Sequence, residues 1–214
     1  MTRIFIAIPS IGVVDTRFAI SLASLRKPPG TAIAASPRSM PDAARNALFD
    51  QAMKFGYDAV FFLDDDMVID TEILGPLQAL LEADPTIAAV APLAFRRHPP
   101  FHPCAMFKSR PDGAYQPISD FDAGPVDVDA IHFAATLVRT SWLEKVVPPR
   151  FEFSHNGDAM KGEDLVLSEK LKALGARLLV DVRLPDALHI GLPQLVGRKA
   201  CEAARAAKPR LIIP

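Results

Sequence analysis

The sequence predicts an α/β protein built as a three-layer sandwich, with a mostly parallel sheet flanked by helices. Short apolar runs typical of buried strands alternate with helical patterns along the chain. One run leads directly into three consecutive aspartates, and open α/β sheets place their ligands at such strand ends. A chain of 214 residues suffices for one such domain, which needs no disulfide or structural metal to fold.

Apolar runs mark the expected strands, and apolar residues at helical spacing mark the helices between them. Ser39 is expected to cap the second helix, with Asp42 three residues later as in a capping box, and Gly56 to end it. Pro76 is expected at the first position of the third helix. The alternation of strands and helices predicts parallel strands joined by right-handed crossovers. The expected strands are 4–8, 31–35, 59–63, 87–90 and 177–182, with a further apolar run at 134–138.

The charge balance and the two cysteines exclude some classes of function. With 24 basic and 25 acidic residues the net charge is -1, so no clear nucleic-acid-binding patch is expected beyond the short Arg96-Arg97-His98 triplet. Cys104 and Cys201 lie far apart without a C-x-x-C pair, which suits a reducing compartment. No segment approaches the ~20 apolar residues that span a bilayer. We therefore expect a cytoplasmic protein without a membrane span.

Asp64, Asp65 and Asp66 follow the apolar run 59–63. In an extended segment, the side chains of Asp64 and Asp66 would point one way and that of Asp65 the other. Adjacent carboxylates repel each other, which is tolerable in water or opposite a cation. Their oxygen atoms favour Mg²⁺ or Mn²⁺. A solvated acidic turn is an equally simple interpretation of the triplet alone.

Two later features carry further candidate residues. Glu163 and Asp164 are expected in the first turn of an amphipathic helix, where carboxylates most often serve as caps. His189 lies in a short apolar segment, where a histidine is more often a hydrogen-bonded core residue than a ligand. The segment 95–125, rich in proline and glycine, is expected to be a functional or mobile loop.

Four short segments occur in an order that matches one family: Ala44-Arg45-Asn46, Phe62-Leu63-Asp64-Asp65-Asp66, Gly162-Glu163-Asp164 and His189-Ile190-Gly191. With these the chain resembles the GT-A nucleotide-sugar glycosyltransferases, in particular the small family-2-like group. The resemblance implies a Rossmann-like GT-A catalytic domain at 1–191 and a C-terminal tail at 192–214. It also implies a metal-dependent, inverting transfer of a sugar from a nucleoside-diphosphate sugar donor to an acceptor hydroxyl of unknown identity.

The resemblance assigns a role to each matching residue. Asp164 would be the general base and Glu163 would support it. A Mn²⁺ or Mg²⁺ ion would be held by Asp64, Asp66 and His189. The donor would be bound by Pro9, Ser10, Arg45 and Asp65, with Asp65 facing the ribose or the sugar.

One departure and three alternatives stay open. The segment Ile131-His132-Phe133-Ala134-Ala135 lacks the glycine-rich step of such relatives, so the donor sugar is open, and His132 is either a sugar or acceptor contact or a buried residue. The run Asp64-Asp65-Asp66-Met67-Val68 also fits a haloacid-dehalogenase-like phosphatase, although that motif normally ends the first strand. A nucleotidyltransferase would need a glycine-rich phosphate loop after the first strand, and none is present there. A non-catalytic nucleotide-sugar-binding module is the third alternative.

Overall fold

The protein folds around one large β-sheet with helices on both faces. The structure, a computed structural model, describes residues 2–37, 39–108, 114–156, 159–191 and 195–206. The strands are β1 (Ile4–Ser10), β2 (Ala32–Pro37), β3 (Ala59–Leu63), β4 (Met67–Val68), β5 (Ile87–Pro92), β6 (Met106–Lys108), β7 (Tyr115–Pro117), β8 (Pro125–Val128), β9 (Ala135–Arg139), β10 (Ser154–Asn156), β11 (Ala159–Lys161), β12 (Arg177–Asp181), β13 (Leu188–Ile190) and β14 (Leu195–Val196). The helices are α1 (Thr16–Ser24), α2 (Pro41–Lys54), α3 (Leu74–Ala83), α4 (Thr140–Leu143), α5 (Glu163–Ala173) and α6 (Arg198–Ala206).

The central sheet has seven strands in the order β2-β1-β3-β9-β5-β12-β8. Strands β2, β1, β3, β5 and β12 run in one direction, whereas β9 and β8 run against them. The predicted fold class, a mostly parallel α/β sheet between helices, is therefore confirmed. The apolar run 134–138 supplies most of β9, which lies antiparallel between β3 and β5. Apolar content alone gives no strand direction, so this placement was not foreseeable.

Alternate residues of the central strands pack into two separate cores, one on each face of the sheet. Phe5 of β1 and Phe62 of β3 belong to the core that α2 and α5 cover. Ile6 and Phe61, their neighbours in the chain, belong to the core that α1 and α3 cover. Because side chains alternate along a strand, a continuous apolar run fits a sheet buried on both faces. This is why β3 could be predicted at its observed bounds.

The starts of two helices differ from the expectation. α2 begins at Pro41 with Met40 at the N-cap, so Ser39 is not its cap. Proline is favoured at the first helical position because its fixed φ suits the helix and its missing N–H would be unpaired there anyway. α3 begins at Leu74, which places Pro76 within the first turn rather than at the first position. The same tolerance for a missing N–H explains why the proline does not break the helix.

The predicted end of α2 is confirmed, and part of the predicted tail packs on the domain. Gly56 has φ 68° just after α2, the left-handed stop expected there. β14 pairs with β13, and Cys201 of α6 is buried in the core next to α2 and α5. The predicted tail also includes 192–194 and 207–214, which lie outside the described residues. Cys104 and Cys201 are free thiols. Within the described ranges, no helix has the length and apolar content to cross a bilayer.

Candidate active site

A cleft of about 430 Å³ opens where β1 and β3 end, at the carboxyl edge of the parallel strands. The resemblance assigns this cleft to the donor, and we call it the donor cleft below. It is lined by most of the predicted site residues, although they are far apart in the chain. Glu163 lines it from the start of α5, while Asp164 and His189 lie next to it rather than in its lining. Its lining residues are Pro9, Ser10, Ile11, Ser39, Met40, Pro41, Arg45, Asp64, Asp65, Asp66, Arg97 and Glu163.

The three aspartates form a turn and not an extended segment. β3 ends at Leu63, and the N–H of Met67 donates to the Asp64 carbonyl at 3.2 Å, which closes the turn. Asp64, Asp65 and Asp66 therefore all line the same cleft, and the expectation that Asp65 points away is wrong. The alternation of side chains holds only while the strand continues. One oxygen of Asp65, Oδ2, is buried without a hydrogen-bond partner among the described residues.

Arg45 of α2 connects the aspartate turn to the start of α5. Its side chain is only 5 % exposed. Its guanidinium donates to Asp64 Oδ1 at 2.7 Å and to Glu163 Oε1. Burial raises the pKa of Asp64 to about 6, although the positive charge of Arg45 opposes this rise. Burial likewise raises the pKa of Glu163. The Arg45 guanidinium, which the resemblance assigns to the nucleotide, therefore already donates hydrogen bonds to two carboxylates of the protein.

His189 lies beside Asp66. β13 pairs with β4, so that the Ile190 N–H donates to the Asp66 carbonyl at 2.8 Å. The ring nitrogen Nδ1 of His189 contacts the carbonyl of Phe95, which can only accept. In the neutral ring, this contact places the proton on Nδ1 and leaves the lone pair on Nε2, which lies 3.7 Å from Asp66 Oδ1. A hydrogen bond from the second ring nitrogen is the usual support of a metal-binding histidine.

The donors around Asp66 fit part of a divalent-metal site. Within the described ranges, no three His, Cys, Asp or Glu side chains are arranged to enclose an ion. Asp66 and His189 nevertheless offer one carboxylate oxygen and one imidazole nitrogen that face each other. Such ions commonly take one or two protein ligands and complete their shell with water and substrate phosphates. Asp64 contributes less directly, because its Oδ1 is bound to Arg45.

Asp164 lines a second cleft of about 290 Å³, which we call the Asp164 cleft. Its carboxylate accepts a hydrogen bond from the Leu165 N–H at 2.7 Å. A Cβ atom on Gly162 would lie 2.8 Å from Asp164 Oδ1, so the glycine leaves room for this carboxylate. Glu163 and Asp164 are adjacent in the chain but face different clefts. The lining residues are Arg96, Cys104, Met106, Ala130, Ile131, Met160, Lys161, Gly162, Asp164 and Leu165.

His132 is a buried residue and not a ligand contact. It is 3 % exposed, and its Nε2 donates to the Pro92 carbonyl at 3.1 Å. Burial, aided by the nearby His189 and Arg45, lowers its pKa from 6.5 to about 4. The unfolded chain therefore binds the proton first as the pH falls. We expect the free energy of unfolding to decrease between pH 6.5 and pH 4, by up to about 3 kcal/mol from this group.

Urea denaturation at several pH values measures this effect. His132→Gln is the matched control, since its amide can donate to the Pro92 carbonyl but does not titrate. The difference in unfolding free energy between wild type and variant should shift in favour of the variant as the pH is lowered through this window. An equal acid sensitivity of both proteins would show that His132 is not the cause.

Comparisons with solved structures place the fold. The chain is similar to A197 from STIV, with a TM-score of 0.59 and 17% identity over 88% of this chain and 85% of that one. It is also similar to GalNAc-T7, solved with UDP, GalNAc and Mn²⁺, with a TM-score of 0.55 and 13% identity over 85% of this chain. The match spans 43% of the GalNAc-T7 chain. No protein-family profile matches the sequence, and no curated protein does. The protein has a GT-A-like α/β fold.

Sequence reasoning did not assign the groups that contact Asp66 and His189 in this site. Arg97 reaches Asp66 with its Nη1 3.0 Å from Asp66 Oδ2, whereas the sequence offered it only as part of a short basic triplet. The Phe95 carbonyl orients His189, and a backbone group has no signal in the sequence. The switch from strand to loop after β5 was the available hint, because ligands gather at such strand ends.

Proposed function

We propose that the protein is a metal-dependent, inverting glycosyltransferase of the small family-2-like kind. It moves a sugar from a nucleoside-diphosphate sugar to an acceptor hydroxyl. One observation carries this proposal: folding brings His189 Nε2 within 3.7 Å of Asp66, beside a cleft at the ends of β1 and β3. The likeness to GalNAc-T7, whose structure holds UDP, GalNAc and Mn²⁺, supports the same class of donor.

The donor binds in the donor cleft. Pro9 and Ser10 contact the nucleotide from the end of β1, with Arg45 on the same side. Asp65 accepts a hydrogen bond from a hydroxyl of the ribose or the sugar, since it lines the donor cleft and its Oδ2 has no partner among the described residues. Asp66 and His189, with Asp64 beside them, would hold Mn²⁺ or Mg²⁺. A divalent ion there would offset the charge on the departing nucleoside diphosphate.

The acceptor enters from the Asp164 cleft. The acceptor oxygen attacks the anomeric carbon, its proton passes to the Asp164 carboxylate, and the bond from the sugar to the diphosphate breaks. Attack on the face opposite the leaving group inverts the anomeric centre. Glu163 supports this geometry through Arg45, which ties the start of α5 to the aspartate turn.

The phosphatase alternative receives no support from the site. It would use Asp64 as the nucleophile, and that carboxylate is bound to the buried Arg45. The motif follows the third strand along the chain, as the sequence predicted, and not the first. A non-catalytic binding module would share the donor cleft, so only an assay of donor cleavage and transfer separates it from an enzyme.

A thermal-shift screen of UDP-, GDP-, ADP- and TDP-sugars, with and without Mn²⁺, tests the donor site. A ligand that binds only the folded state at 100 times its Kd adds ~2.7 kcal/mol of stability. For a chain of this size that corresponds to a rise in Tm of roughly 5–10 °C. We expect one nucleotide class to give such a rise with Mn²⁺ and a smaller one without it.

Asp66→Asn should remove the Mn²⁺-dependent part of this shift, because an amide oxygen is a weaker ligand than a carboxylate. Asp50→Asn is the matched control, since the Asp50 carboxylate is 70% exposed and does not line the donor cleft. A full Mn²⁺-dependent shift in Asp66→Asn would reject the metal site, and no shift with any donor would reject the proposed function.

A further inference from the structure

Arg97 forms an ion pair with Asp66. Its Nη1 lies 3.0 Å from Asp66 Oδ2, while Asp66 Oδ1 faces His189. The Arg97 side chain is 52% exposed and lines the donor cleft. An arginine in this place is a cation at the carboxylate that the proposed function gives to a metal ion. Two cations compete for one carboxylate, so each weakens the binding of the other to it.

The segment that carries Arg97 also orients the ring of His189. The Phe95 carbonyl accepts from the His189 ring, and Arg97 follows two residues later. Phe95 is fully buried, whereas Arg97 is exposed, so the segment leaves the core between them. The arginine can therefore change partner while the carbonyl that orients His189 stays in place.

The two arginines of the basic triplet serve different clefts. Arg97 lines the donor cleft, and Arg96 lines the Asp164 cleft. They do not form one patch, which argues against a shared polyanion surface. Guanidinium groups bind phosphate oxygens with two parallel hydrogen bonds, so a free Arg97 suits the diphosphate of a donor in the same cleft.

We propose that Arg97 is a diphosphate-binding residue that exchanges partners, an inference that rests on the proposed function. Without donor it binds Asp66 and weakens the binding of a divalent ion there. With donor and ion present it leaves Asp66 and binds the diphosphate. The protein therefore binds a divalent ion weakly when the ion is alone. It binds the ion and the diphosphate as a pair.

Arg97→Ala should change two binding constants in opposite directions. Mn²⁺ alone, titrated by electron paramagnetic resonance, should bind about two- to fivefold more tightly, because an exposed ion pair no longer competes. The nucleoside diphosphate chosen by the thermal-shift screen should bind about tenfold more weakly at saturating Mn²⁺, because a charge-assisted hydrogen bond is lost. Arg97→Lys should give intermediate values for both. Damage to the fold would instead weaken both.

Arg26→Ala is the matched control, since Arg26 forms an exposed ion pair with Glu72 and does not line the donor cleft. It should change neither constant. The proposal is overturned if Arg97→Ala binds Mn²⁺ alone no better than wild type, or if it binds the nucleoside diphosphate as well as wild type. If the wild type binds no nucleoside diphosphate at all, the proposed function itself fails, and this proposal fails with it.

Discussion

Asp164→Asn is expected to reduce turnover by about 10²-fold or more while leaving donor affinity unchanged. The amide cannot accept the proton of the acceptor hydroxyl. Its oxygen can still accept the Leu165 N–H bond, so the start of α5 should be retained. Asp164 does not line the donor cleft, which is why donor binding should be spared. The measurements are the rate of nucleoside-diphosphate release and the Kd of the donor found by the screen.

The chain offers a matched control for Asp164→Asn and a second candidate for the general base. Asp127→Asn makes the same chemical change at an exposed surface carboxylate that pairs with Lys172 and Arg177, and it should leave turnover intact. Normal turnover in Asp164→Asn would refute the assignment. Loss of turnover in Glu163→Gln together with normal turnover in Asp164→Asn would move the role of base to Glu163.

The parts of this protein that were predictable depend on residues adjacent in the chain. β3 was predicted at its observed bounds because five apolar residues in a row suit a strand buried on both faces. The aspartates that follow it were placed at the sheet edge for the same local reason. His189 came only from the resemblance, since its own surroundings favoured a core residue.

The parts that were not predictable depend on contacts between distant segments. The opposite directions expected for Asp64 and Asp65 assume that the backbone stays extended past Leu63, because nothing in their own sequence shows the turn that the Met67 N–H closes. Arg45 was assigned to the nucleotide because its two carboxylate partners lie 19 and 118 residues away. A guanidinium suits a phosphate and a carboxylate equally well, so its chemistry alone does not choose between them.

Arg45→Met is expected to reduce the free energy of unfolding by about 3–5 kcal/mol, because it leaves buried carboxylates without their positive partner. Glu163 is the more buried of the two and should account for much of this loss. Adding Glu163→Gln to the Arg45→Met protein should therefore cost less than the same change in wild type. Urea denaturation of the four proteins in this cycle measures the coupling. Arg45→Lys, which keeps the charge but not the two-sided fork, should lose less than Arg45→Met.

Arg177→Met is the matched control for Arg45→Met. Arg177 also joins two carboxylates, Asp84 at 3.0 Å and Asp127 at 2.8 Å, but its side chain is 44% exposed. Its loss should cost much less than that of Arg45, because exposed ion pairs contribute little to stability. If Arg45→Met were as mild as this control yet weakened donor binding, Arg45 would be a nucleotide contact, as the family resemblance implies, and not the internal tie between the aspartate turn and α5. If Arg45→Met loses much stability but Glu163→Gln costs the same in that variant as in wild type, the stabilisation by Arg45 would come from Asp64 alone.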